Sequence, residues 1–130
     1  MTDRELLETA AKAAGIKGKP FPGALALIVP WQENRPDGKG IVLNGRDLGW
    51  CWCPFDDEGD AMRLAVKMRI TVAYQNPADL GGGYVTASFH KHQYRYLFPK
   101  ETSFTEEFGC DPLHATLRTI VRAAAALAPR

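Results

Sequence analysis

Residues 51–68, CWCPFDDEGDAMRLAVKM, place Cys51 and Cys53 close to four acids, Asp56, Asp57, Glu58 and Asp60. Thiolates and carboxylates so close in sequence are candidate metal ligands, and paired carboxylates can divide acid and base work. Cys110, His90, His92 and His114 add ligand types elsewhere. The spacing argues against zinc, because structural zinc sites use C-x2-4-C and this pair is C-x-C. A cysteine activated by histidine is a possible nucleophile, but no G-x-S-x-G or cysteine-protease signature accompanies it. Gly81–Gly83 lacks the Lys-Ser/Thr that completes a phosphate loop, and it reads as a flexible turn. Helix initiation explains the acids without chemistry. Asp57 is placed to cap a helix, Asp60 stands three residues later in a capping-box-like position, and acids favour the positive end of a helix dipole. No catalytic residue, metal ligand or cofactor is therefore assigned.

Ligand binding has a different set of candidates. Trp50 and Trp52 share a face if their segment is extended. With His90, His92 and Arg95 they offer stacking surfaces and phosphate-contacting groups for a flat ligand or nucleotide. The alternative is that the rings of one or two of Trp31, Trp50 and Trp52 fill the core.

These residues depend on elements whose ends are marked in the sequence. Thr2 and Glu5 have capping-box spacing. Leu6, Leu7, Ala10, Ala11 and Ala14 follow as a narrow, alanine-rich stripe closed by Gly15, which suits a helix lying against something flat. Ala24 to Val29 reads as a buried strand. Pro36-Asp37-Gly38 marks a turn, Ile41 to Gly45 a short strand, and Asn44-Gly45 a hairpin into LGWCWC. After Asp57, the residues Ala61, Leu64, Ala65 and Met68 share a helix face, with Arg63 and Lys67 opposite. Arg69 to Gln75 and Gly83 to Phe98 are rich in β-branched and aromatic residues. As one strand the latter puts Tyr84, Thr86, Ser88, His90, His92, Tyr94, Tyr96 and Phe98 on a face opposite Val85, Ala87 and Phe89, and its length predicts a turn or bulge near Lys91 to Gln93. The last helix is capped by Asp111 and opened by Pro112. Leu113, Leu117, Ile120, Val121, Ala124 and Leu127 line one side, and Arg118 and Arg122 another. The order is helix, two or three strands, helix, two strands, helix. It predicts one α/β (α+β) domain over residues 1–130, with helices packed on a mostly antiparallel sheet.

Composition narrows the setting. The chain has 130 residues, 45% hydrophobic and 24% charged, with a net charge of +1. That balance disfavours nucleic acid as a partner. The N-terminus MTDRELLETAAKAAG has no secretory h-region, and no apolar run approaches the length of a membrane span. A cytoplasmic protein with no membrane partner is expected, and three cysteines at these spacings do not suggest a disulfide framework.

Two blocks, DDEGDAMRLAVKMRITV and DPLHATLRTIVRAAAALA, resemble a family of small phage-encoded proteins of uncharacterised function, the phage ABA-sandwich domain. The resemblance covers less than a third of the chain. It implies a three-layer α/β/α sandwich, a phage or prophage origin and an accessory role in the cytoplasm of the infected or lysogenic bacterium. It supplies no catalytic set. The favoured function is a non-enzymatic binding protein, acting as a homodimer on a host protein or small ligand. A nucleotide-ligand binder is the first alternative and a small metal- or thiol-dependent hydrolase the second.

Overall fold

In the computed structural model the described residues are 2–21, 23–29, 40–43, 46–75, 83–89, 103–109 and 111–128, with backbone alone for 40–50. The chain is α+β, with three helices and two antiparallel sheets among these residues. Helix α1 spans Asp3–Ala13, α2 spans Glu58–Lys67 and α3 spans Pro112–Ala126. Strands β1 (Lys19–Pro20), β2 (Leu27–Val29), β3 (Gly40–Leu43) and β4 (Arg46–Trp52) form one sheet in the order β1-β2-β4-β3. Strands β5 (Thr71–Gln75), β6 (Tyr84–Ser88) and β7 (Ser103–Glu107) form the second in chain order.

Helix boundaries follow the local chemistry. Thr2 closes a full capping box with Glu5, which satisfies two amides that have no intrahelical partner. Gly15, with φ +72°, ends the helix in the left-handed region, and Ile16 N–H then donates to Ala11 O at 2.8 Å. Asp57 and Asp111 cap α2 and α3 by accepting from Asp60 N and His114 N, each at 3.1 Å. Pro112 opens α3, where its missing N–H costs nothing.

Packing is organised on α3, which is buried around most of its circumference and meets α1, α2, β6 and β7. Ala123 and Ala124 are wholly buried, as are Leu7 and Ala10 of α1. The alanine stripe of α1 thus lies on another helix rather than on a flat sheet, because small side chains on both partners allow their axes to approach. Thr116 and Thr119 are buried with their hydroxyls bonded back to Pro112 O and Ala115 O. Leu113 departs from the expected stripe: it lies in the first turn and is 47% exposed.

Alternation places Val85, Ala87 and Phe89 inward and leaves Tyr84, Thr86 and Ser88 half-buried. Thr86 pairs directly with Thr105 across β6 and β7, their hydroxyls 3.1 Å apart. At the margin of α3, Arg118 pairs with Asp3 and with Glu106, and Arg122 with Glu106 at 2.6 Å, so one cluster joins α1, α3 and β7. Arg122 also lies over the Phe104 ring, 5.6 Å from its centre.

Three elements differ from the sequence pattern. Strand β7 was not foreseen, because Phe104 is its one large apolar residue. Strand β2 covers only Leu27–Val29; the preceding residues form a turn in which Phe21 N–H donates to Ala26 O and Gly23 has φ +78°. Strand β6 ends at Ser88, and residues 90–98 lie outside the described residues, as do Asn44 and Gly45. The register nevertheless sets Leu43 opposite Arg46, as a two-residue hairpin requires.

Gly83 is a close-packing position rather than a flexible turn, while Gly81 and Gly82 lie outside the described residues. A Cβ there would stand 2.4 Å from Phe108 Cε2 and 2.9 Å from Gln75 O. Gly83→Ala is therefore expected to destabilise the protein by about 1–3 kcal/mol, read by urea denaturation, because both ring and strand must shift.

Candidate functional site

The acidic stretch is held by a turn. Asp56 N–H and Asp57 N–H both donate to Cys53 O, at 3.0 and 2.8 Å, while Pro54 and Phe55 are buried beneath. This aims the start of α2 at the end of β4. Asp60 does not act as the second arm of a capping box, as its position in the sequence suggested. Its carboxylate is wholly buried, accepts from Cys53 N at 3.1 Å, and pairs with Arg63 Nη2 at 3.2 Å. The buried charge is thereby compensated by a cation, an amide and the positive end of α2.

Cys53 Sγ and one oxygen each from Asp57 and Asp60 lie within 4.8 Å of one another, so among the described residues these three are the group that could hold a metal. Two features oppose a cation: Arg63 already neutralises Asp60, and the amides at the start of α2 point their positive ends at the same carboxylates. The thiol is also a poor nucleophile near neutral pH. Burial, then the neighbouring Cys51, Asp60 and Asp57, push Cys53 from 9.0 up to about 12. Cys51 and Cys53 are both free and half-buried. What the arrangement does chemically is fasten a strand end to a helix start.

The residues expected to bind a ligand are divided by the structure. Trp52 is 2% exposed and belongs to the main hydrophobic cluster, which is the core role left open for it in the sequence; its ring is not offered to a surface ligand. Trp50 contributes backbone pairing with Val29, and its side chain lies outside the described residues. His90, His92, Arg95, Cys110 and Trp31 also lie outside them. His114 is exposed in the first turn of α3, with its amide capped by Asp111.

A concave surface lies elsewhere, between α1 and the β1–β2 hairpin. The groove holds about 570 Å³, with Ala11, Ile16, Pro20 and Leu27 as its apolar lining and Lys12 and Lys17 at its margin. Glu8, Ala11, Lys12 and Gly15 face it from α1 at the i, i+3, i+4, i+7 spacing of a single helix face. Gly18 lets the returning chain pass close over β2: a Cβ at that position would stand 3.0 Å from Leu27 Cβ and 3.1 Å from Ile28 O. In the sequence Ala11, Gly15 and Leu27 have only structural roles and are not joined to Lys12, Ile16, Lys17 and Pro20, because the lining comes from a helix margin, a connection and two short strands. The shared α1 spacing was the one available signal.

Asp60→Ala should destabilise the protein by about 2–4 kcal/mol, since it strands the Cys53 amide and leaves a void where the wholly buried carboxylate stood, with Asp60→Asn costing less. The thiol sets an alkaline limit as well. Its folded value is raised, so its contribution is complete below the unfolded value of 9.0 and is lost as pH rises toward about 12. Urea denaturation at a series of pH values should show wild type losing stability across that window more steeply than Cys53→Ser.

Comparison of the chain with family models, with curated proteins and with solved structures finds no match.

Proposed function

We propose that this chain is a non-enzymatic binding protein that holds a small ligand in the groove between α1 and the β1–β2 hairpin. The observation that carries this reading is the groove itself. Its volume of about 570 Å³ falls in the range of small-molecule sites, and its lining follows their usual plan of an apolar floor with a few polar groups at the rim. The state of the thiol adds support, because a Cys53 held near 12 is protonated at neutral pH and unsuited to attack a substrate. The setting we propose is that of a phage or prophage accessory protein working in the host bacterium. It rests on the resemblance of residues 56–72 and 111–128 to that family.

One observation favours a second reading, contact with a host protein or with a second copy in a homodimer. Met62 and Val66, one turn apart on α2, are 62% and 69% exposed. Large apolar side chains adjacent on an outer helix face suit a protein contact.

The test is a thermal-shift survey of small molecules on the full chain, joined to native mass spectrometry for retained mass above 14.3 kDa. A ligand in the groove should raise the melting temperature by mass action. That rise should shrink in Ile16→Asp and in Pro20→Asp, the latter on the exposed rim. If no compound raises it at millimolar concentration, the groove reading fails. A partner lost on Met62→Glu or Val66→Glu would then establish the protein-contact reading.

A further inference from the structure

The groove has a charge pattern as well as a shape, and the pattern selects among ligands. Lys12 and Lys17 stand at its margin, and neither has an ion-pair partner among the described residues. Among the described residues Glu8 is the single acid in the lining. A third cation, Arg4, occupies the same α1 face one turn before Glu8. Its Nη2 donates to Ala24 O at 2.7 Å, while Nη1 is shielded from solvent and has no acceptor among the described residues. The face therefore carries an excess of positive charge beside an apolar floor made by Ala11, Ile16, Pro20 and Leu27.

An extended peptide is a poor occupant. To add as a strand it would have to pair with β1, the edge of its sheet, which is two residues long and ends in Pro20, a residue with no N–H to donate. A polar anion such as inorganic phosphate would leave the floor uncovered. An apolar molecule without charge would leave both lysines unanswered. We propose, building on the binding function above, that the groove takes a small amphiphilic anion: a molecule whose apolar body lies on Ile16 and Pro20, above the buried Ala11 and Leu27, and whose carboxylate, or equivalent acidic group, meets Lys12 and Lys17. Charge complementarity at the rim supplies selectivity, and burial of the apolar body supplies most of the affinity.

Matched probes test this directly. Octanoate and octanol share an apolar body and differ in charge, and amide chemical shifts of the full-length protein report where each one binds. Octanoate should perturb the amides of Ala11, Ile16, Lys17 and Gly18 and bind several-fold more tightly than octanol. The double variant Lys12→Glu/Lys17→Glu should weaken octanoate by roughly tenfold, as expected for reversing two charges near a protein surface, while leaving octanol unchanged. Lys67→Glu, on α2, should change neither. Equal binding of octanoate and octanol to the wild type would overturn the anion assignment and leave the groove as a binding site. Perturbations confined to other residues, or none with either probe, would overturn both the anion assignment and the groove reading.

Discussion

The contact of α3 with its neighbours sets the positions of the other elements. Its alanines bring backbones together where larger residues would hold them apart. Ala123 and Ala124 are wholly buried, as is Ala10 of α1, and Ala11 and Ala14 are nearly so. Close packing of this kind tolerates little change in volume, because each added methyl must displace a neighbour. Its polar groups are accommodated without loss: Thr116 and Thr119 return their hydroxyls to the helix's own carbonyls, and Arg118 and Arg122 reach acids at the helix margin. Since α1 has one face committed to α3, its opposite margin is left to face the β1–β2 hairpin. The groove is a consequence of that arrangement.

A second constraint acts at the start of α2. A buried carboxylate is expensive unless its charge and its lone pairs are met, and Asp60 has both met by Arg63 and the Cys53 amide. The result is a rigid link between the end of β4 and α2, with Trp52, Pro54 and Phe55 packed underneath. Cysteines beside acids therefore mark a joint in the fold. The same surroundings that make the joint, low solvent access and neighbouring carboxylates, keep the thiol protonated. A reactive thiolate requires the opposite environment, with positive groups close by.

The groove illustrates how a short sheet edge can be used. Strand β1 has too few residues and the wrong last residue to recruit another strand, so its edge is blocked against pairing. What it offers is a wall. Gly18 brings the chain near β2, Leu27 supplies the floor, and the lysines of α1 and the following connection supply charge at the rim. Among the described residues no helix is long and apolar enough to cross a membrane.

The sequence by itself determined whatever depends on near neighbours in the chain. Capping at Thr2, Asp57 and Asp111, the left-handed stop at Gly15, the buried faces of α1 and α2, and the alternation through Val85, Ala87 and Phe89 all follow from spacing and backbone chemistry. The α+β class with antiparallel pairing follows from the same signals. Tertiary structure decided what needs distant partners. Phe104 gives β7 too little pattern to be seen until β6 pairs with it, and Leu113 matches the apolar period of α3 but is 47% exposed. Asp60 has the spacing of a capping residue, yet the closeness of Cys53 and Arg63 turned it inward to another task. Trp52 suited either a platform or a core by its sequence, and the fold places it in the main hydrophobic cluster. The groove was the least legible feature. Its residues come from a helix margin, the connection after it and two short strands, and a concave surface has no period in the chain that makes it.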